Sequence, residues 1–373
     1  MRTYPALVTF ASLALGGCAA ITGGGPAVVR TDHYIAVNSA APALAGKEVR
    51  LYVREVARAN GAARPESVVV FVHGALSPGS VAFDTQYKGY SWMEYLANAG
   101  YDTFVMDFTG FGRSTRPEAL NDPCNLPKAG RAPFVPLMIS ADCEPSQRTP
   151  ITTISSDWDD MDVVIEYVRR LRGVEKVALI AWSQGGPIAG GYAARHPEKV
   201  SSIFVLAPAY PDMPAQAPAV MPVRDGTITV QDVAAYRRDL DGQIGCPDQY
   251  EEGVREAVWD ALLASDPVGA RWSPPVYRAP LVPYWGFNSQ IAGALPTPFA
   301  IVLGQYDKHV DPIRVRKLYA DLGSANKVFV ELGCSSHPAM MERNHALLFQ
   351  ASLEWLERGT IEGTSNGAVK LGY

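Results

Sequence analysis

The sequence predicts an α/β fold built on a mostly parallel central sheet with helices on both faces. Short apolar runs of the buried-strand kind recur along the chain, and segments of helical periodicity follow most of them. Composition agrees: of 373 residues 47% are hydrophobic and 19% charged, enough apolar material for a sizeable core and too much for a disordered chain or a coiled coil. At roughly 150 residues per domain the length fits two units, or one large α/β domain with an insertion.

Residues 49–56 alternate like an early strand, and 68–72 form a continuous apolar run. Residues 92–99 read as a helix stopped by Gly100, and 103–106 as the next strand. In 157–171, Trp158, Met161, Ile165 and Val168 recur at spacings of three and four, which predicts a helix. Four aspartates in its first turns suggest either a calcium site or, more simply, carboxylates at the positive end of a helix dipole, with Ser155 or Ser156 as cap. Further strands are expected at 177–181, 203–206, 299–303 and 328–331, and helices at 187–195, 312–322 and 343–358.

Two stretches break the alternation. Residues 115–150 are Pro-rich and without sustained period. Residues 208–296 are rich in Pro and aromatic residues, with helical patches at 230–238 and 250–263. Loops of such length inside a compact domain are usually lids or insertions. Residues 359–373 are polar and Gly-rich and are expected to fray.

Arg2 followed by an apolar run of about ten residues to Leu15 reads as a secretion signal, too short to span a bilayer. It ends in Leu15-Gly16-Gly17-Cys18, which resembles the lipobox of bacterial lipoproteins and implies a lipid on Cys18 that ties the chain to a membrane. An ordinary cleaved signal is the simpler alternative. Three consecutive glycines within residues 22–26 then serve as a tether. Export makes disulfides the default for the four remaining cysteines. Three pairings are possible. Cys124 and Cys143 share one loop and are expected to close it, which leaves Cys246 for Cys334. A net charge of −5 with scattered Lys and Arg argues against a nucleic-acid partner, and no zinc-ligand spacing appears.

The chemistry is expected at one turn. The strand at 177–181 runs into Trp182-Ser183-Gln184-Gly185-Gly186 and then directly into a helix, the context of a nucleophile elbow. Ala181 replaces the first glycine of the usual G-x-S-x-G and Gly185 keeps the second. Acyl transfer also needs donors for an oxyanion. The strand at 68–72 ends in His73-Gly74-Ala75, so the N–H groups of Ala75 and Gln184 are expected to form the hole, and His73 to support their loop.

With Phe71-Val72-His73-Gly74, Asp107-Phe108-Thr109-Gly110-Phe111-Gly112-Arg113-Ser114 and the Ser183 turn, the chain resembles an α/β-hydrolase-fold serine hydrolase over residues 47–358, the two breaks apart. The resemblance implies a triad in the order Ser, acid, His. Asp307, just past the strand at 299–303, matches the acid. Asp311, directly before Pro312 and a helix, reads as an N-cap. His337, in the loop after 328–331, matches the base. His345 falls in the last helix, while His33, His196 and His309 read as linker, helix end and loop. Asp107 is expected to shape a loop, and Gly110-x-Gly112 lacks the third glycine of a dinucleotide site.

The expected organisation is a signal at 1–17, a tether and N-terminal segment at 18–46, a core at 47–207 and 297–358, a cap at 208–296 and a tail at 359–373. A small-molecule ester is the expected substrate, with no cofactor and no metal. Trp259, Trp272, Tyr277, Tyr284, Trp285 and Phe287 in the cap pack its own core, line an acyl or aryl pocket, or divide between the two. Glu251, Glu252 and Glu256 keep open an aminopeptidase like the proline iminopeptidases, since such enzymes grip a free amino group with a cap carboxylate. A catalytically silent binding lipoprotein is the third reading.

Overall fold

The computed structural model describes residues 27–61, 67–211, 213–221 and 224–373. The signal, the glycine tether and Cys18 lie outside them. In chain order the strands are β1 (Val28–Asn38), β2 (Glu48–Arg58), β3 (Val68–Val72), β4 (Asp102–Asp107), β5 (Val177–Trp182), β6 (Val200–Leu206), β7 (Ile228–Asp232), β8 (Val276–Pro280), β9 (Phe299–Gly304), β10 (Lys327–Leu332) and β11 (Asn366–Leu371). The α-helices are α1 (Gly79–Ala82), α2 (Trp92–Asn98), α3 (Ile154–Arg172), α4 (Gly185–Arg195), α5 (Val233–Gly242), α6 (Val254–Ser265), α7 (Ser289–Ala294), α8 (Pro312–Asp321) and α9 (His345–Arg358).

Nine strands form one sheet in the order β1-β2-β4-β3-β5-β6-β9-β10-β11. The pairs β1–β2 and β2–β4 are antiparallel and every later pair is parallel. Every residue of β3, β4 and β5 is buried, as expected of parallel strands covered on both faces. Helix α2 packs on α9, where Trp92 stacks on Phe349 at 5.1 Å and its indole N–H donates to Ser352 Oγ at 2.8 Å. Helix α3 packs on α4, with Trp158 Nε1 donating to the Ile188 carbonyl at 2.9 Å.

The sheet is wider at both edges than the sequence pattern predicts. Residues 28–38, expected within the N-terminal segment, form strand β1, and His33 is part of the sheet rather than of a linker. Its residues alternate between half-buried and exposed, so apolar periodicity does not reveal the strand. Beside its antiparallel ladder to β2, polar and charged side chains hold it. Arg30 grips the buried Asp84 and the half-exposed Glu94. Asp32 accepts from Tyr52 Oη at 2.7 Å and from Arg54 Nε at 2.8 Å, and His33 Nε2 meets Glu55 at 3.0 Å. At the other edge the tail expected to fray forms β11, in parallel register with β10 from Lys327↔Asn366 to Leu332↔Leu371. The Glu354 carboxylate turns the chain back toward the sheet by accepting from Thr360 Oγ1 and from the N–H groups of Glu362 and Gly363.

The two stretches that interrupt the alternation pack against each other. Residues 208–296 contribute the antiparallel pair β7–β8 together with α5, α6 and α7. The predicted helical patch at 230–238 begins instead as strand, because residues 228–232 pair with β8. A second apolar cluster joins Leu120, Leu126, Phe134 and Ile151 to Ile228, Trp272 and Val276. Beside it the fully buried Arg278 binds Asp266 at 2.6 Å and donates to the Leu120 carbonyl at 2.7 Å.

Thr153, rather than Ser155 or Ser156, caps α3, with Ser156 completing a reciprocal capping box. Its aspartates diverge. Asp162 pairs with Lys199 at 2.6 Å, whereas Asp157 and Asp160 are buried. Asp160 Oδ2 accepts the Thr109 N–H at 2.9 Å and so holds the loop after β4.

Burial pushes the Asp160 carboxyl up to about 6 against the opposing Thr109 hydrogen bonds. Below the ordinary carboxylate range both folded and unfolded states hold the proton. Between about pH 4 and 6 only the unfolded chain ionises, so stability is lost as pH rises, on the order of 3 kcal/mol for this shift. Asp160→Asn keeps an acceptor for Thr109 and removes the charge. Urea unfolding at pH 4.5 and 7 is expected to show a smaller drop in the variant than in wild type, and equal drops would remove Asp160 as the cause.

Candidate active site

Strand β5 delivers Ser183 into a turn that its neighbours force to be tight. Ser183 adopts φ +56°, a left-handed conformation that non-glycine residues avoid. Its N–H donates to the Leu206 carbonyl at 3.0 Å, and its carbonyl accepts from Gly186 and Ala209, both at 3.0 Å. A Cβ on Gly74 would stand 2.8 Å from Ser183 Cβ and 2.9 Å from the Trp182 carbonyl, and one on Gly185 would stand 2.9 Å from the His73 carbonyl. Only glycine fits at these two positions, and α4 begins at Gly185, so its positive end faces the turn.

The loop after β3 lies opposite. The His73 ring is buried, with Nδ1 donating to the Gly74 carbonyl at 2.7 Å and Nε2 accepting the Phe108 N–H at 3.1 Å. Those partners fix one neutral tautomer, and burial lowers the His73 pKa in the same sense. Asp107 accepts from the N–H groups of Ser80 at 3.1 Å and Arg113 at 3.0 Å, so it braces the loops on either side of β4.

His337 and Asp307 meet beyond the ends of β10 and β9. His337 Nδ1 donates to Asp307 Oδ2 at 3.0 Å, and the two side chains are 8% and 0% exposed. Asp307 Oδ1 accepts the N–H groups of His309 at 2.9 Å and Val310 at 3.1 Å. Both carboxylate oxygens are thus engaged, and the imidazole is left with Nε2 to accept a proton. Asp311 caps α8 through the Ile313 N–H at 2.9 Å. His345 starts α9 and lies 4.0 Å from the Tyr90 ring, and His196 ends α4.

Ser183, Gln184, Ala75 and His337 line one cavity of about 270 Å³, with Asp307 behind His337. Its apolar wall comes from Leu240 of α5, Val258 and Leu262 of α6, and Met341. None of the six aromatic residues named from the sequence lines it. Trp259 stacks on Tyr236, Trp272 meets Phe134 in the second cluster, and the Tyr284 hydroxyl donates to Gln184 Oε1. Tyr277 and Phe287 are fully buried, and Trp285 Nε1 donates to Ser155 Oγ at 3.1 Å. The cap glutamates also lie outside the cavity lining: Glu251 pairs with Lys88 and Glu256 with Arg237, and the backbone carbonyl of Glu252 accepts from Tyr87 Oη.

Several residues that hold this site carry no periodic or motif signal. Gln243, at the C-cap of α5, accepts the His337 N–H at 3.2 Å. The fully buried Glu342 accepts from the Ser336 N–H at 2.8 Å, from the Ser336 hydroxyl and from Gln249 Nε2 at 2.9 Å, and burial raises its pKa. Both expected cysteine pairs form, with Cα–Cα separations of 5.8 Å for Cys124–Cys143 and 5.7 Å for Cys246–Cys334. They fit an oxidising compartment. Among the described residues no helix is long and apolar enough to cross a membrane.

With strand order, elbow and His–Asp pair in place, the class follows: the chain belongs to the α/β-hydrolase fold family, whose pattern it matches over residues 67–344, and it is a hydrolase. Solved structures of similar fold include a thermophilic esterase from Thermogutta terrifontis, 15% identical, covering 87% of this chain and 98% of that one with a TM-score of 0.51. The 2-hydroxy-6-oxo-6-phenylhexa-2,4-dienoate hydrolase of Rhodococcus sp. strain RHA1 is 18% identical, covering 88% and 100% with a TM-score of 0.51. A bacterial membrane phospholipase A is 17% identical, covering 88% and 87% with a TM-score of 0.52. No curated protein matches the chain.

The Cys246–Cys334 bond ties the residues after α5 to the loop that carries His337 three positions on. Reduction is expected to cut hydrolytic turnover several-fold with little change in far-ultraviolet circular dichroism, and Cys246→Ser to do the same. A Cys124→Ser/Cys143→Ser variant controls for the other bond. Full turnover after thiol counting shows Cys246–Cys334 open would remove any role for it at the site.

Proposed function

We propose that this hydrolase cleaves carboxylic esters through a covalent acyl-enzyme formed on Ser183. What supports this most is the shared cavity that Ser183 and His337 both line, with Asp307 holding the imidazole from behind. In the proposed reaction Ser183 Oγ attacks the ester carbonyl as His337 Nε2 takes its proton, and Asp307 steadies the resulting imidazolium. The N–H groups of Ala75 and Gln184 stabilise the oxyanion. Collapse of the tetrahedral species breaks the C–O bond, and His337 returns the proton to the leaving alkoxide. Water, deprotonated by His337, then attacks the acyl-enzyme, and as the acyl–Oγ bond breaks His337 returns the proton to Ser183 Oγ and the acid is released.

The aliphatic lining favours apolar acyl groups, and about 270 Å³ sits just below the range of ligand pockets, which points to small or medium esters. The aminopeptidase alternative loses its support where the cap glutamates bind Lys88 and Arg237 instead of reaching the cavity. A silent binding protein would have no need of a serine at positive φ beside a His–Asp pair. The protein is proposed to act outside the cytoplasm, held to a membrane by lipid on Cys18, and the mass of the mature N-terminal peptide is expected to start at a diacylated Cys18. An unmodified N-terminus further along would reduce it to a secreted form.

Ser183→Ala is expected to lower hydrolysis of p-nitrophenyl acetate and butyrate by at least about 10³-fold while leaving the fold intact, with amino-acid p-nitroanilides untouched by either protein. Anilide turnover dependent on Ser183 would instead establish the peptidase.

A further inference from the structure

A second His–Asp pair stands at the mouth of the cavity. His309, in the loop after β9, meets Asp239 of α5 with Nε2 2.9 Å from Oδ1 and 3.1 Å from Oδ2. Both line the cavity. Their side chains are 42% and 36% exposed, against 8% and 0% for His337 and Asp307, so the outer pair lies at the rim and the inner pair at the floor. The His309 ring stands edge-on to that of His337 at 4.8 Å. One partner belongs to the segment that covers the site and the other to the loop after β9, so the pair links the two sides of the cavity.

We propose that Asp239 and His309 form a gate that sets the size of the ester admitted to Ser183. A half-exposed ion pair is held weakly, so it can part for a substrate. The backbone on either side is fixed. The β7–β8 ladder anchors the start of α5, while Lys308 Nζ donating to the Gly242 carbonyl at 2.6 Å and the Cys246–Cys334 bond anchor its end. Opening is therefore rotation of two side chains, a ps–ns motion for exposed residues.

The groups facing His309 are Asp239 from α5, Asp307 and Lys308 from its own loop, and His337. The hydrogen bond to Asp239 raises the His309 pKa, burial opposes it, and the charges of Asp239 and Asp307 add to the rise. The gate is thus tightest while His309 is protonated and loosens as pH rises through its titration.

This gate rests on Ser183 being the nucleophile proposed above. The test is the ratio of kcat/KM for p-nitrophenyl octanoate to that for the acetate. In wild type the ratio is expected to rise with pH from 6 to 9. In Asp239→Asn and His309→Gln it is expected to start several-fold higher, mainly through the KM of the octanoate, and to stay flat with pH. A ratio equal to wild type at every pH in both variants would overturn the gate, even with a normal Ser183→Ala result. If esters are not turned over, the rates at which long- and short-alkyl fluorophosphonates label Ser183, followed by intact mass, give the same ratio. If Ser183 takes no label either, the nucleophile reading fails and entry is read from the Met341 methyl resonance on titration with 1-octanol. Equal affinity in wild type and both variants then overturns the gate.

Discussion

Gly74 and Gly185 bring the end of β3 against the β5–α4 turn until backbone meets backbone, and the remaining geometry of the site depends on that contact. A left-handed serine costs on the order of 1–3 kcal/mol and persists only where the surroundings over-determine it. Here the Ser183 N–H is bonded to Leu206 of β6 and its carbonyl to Gly186 of α4 and Ala209 beyond β6, so the turn is held from both sides. Strand order supplies the location. The chain leaves β3 for β4 on one side and returns with β5 on the other, which makes the gap above β3 and β5 a topological switch point, where open α/β sheets bind their ligands. Ser183, Gln184 and Ala75 all stand at that gap.

The histidine side of the site is held by different physics. Its loop is braced from the covering segment by Gln243 Oε1 accepting the His337 N–H, by the Cys246–Cys334 bond, and by Gln249 on Glu342. Glu342 is a carboxyl with no cation among its hydrogen-bond partners. It is tolerable there because Ser336 and Gln249 satisfy it, and removing those donors would leave a buried polar group unpaired. Residues 208–296 thus do two things at once, walling the cavity with α5 and α6 and orienting the imidazole loop.

Much of this was legible in one dimension. The buried runs of β3, β5, β6 and β9 announce themselves because a parallel strand covered on both faces must be apolar throughout. The elbow is legible because a strand, a serine, small residues and a helix follow without a gap. The family resemblance placed Asp307 and His337, each at the matching position after a recognisable strand, and Asp311 was set aside because Asp-Pro before a helix is a cap signal. The edges of the sheet were hidden for the opposite reason. Strand β1 is held by Arg30, Asp32 and His33, whose partners lie 20 or more positions away, and β11 by a turn in which polar rather than apolar groups meet at Glu354.

The sequence by itself determined the core strands, the strand–serine–helix turn and, through the family resemblance, the candidates Ser183, Asp307 and His337, since each is marked by residues adjacent to it in the chain. Only the tertiary structure decided that the six cap aromatics named from the sequence stay out of the cavity lining while Tyr236 joins it, that Glu251 and Glu256 are bound elsewhere, and that Gln243, Asp239 and His309 gather around His337 with Glu342 bracing its loop. Those residues act through neighbours on other elements, from 6 positions away for Ser336 and Glu342 to 94 for Gln243 and His337. No local pattern marks them, because packing rather than periodicity selects their partners.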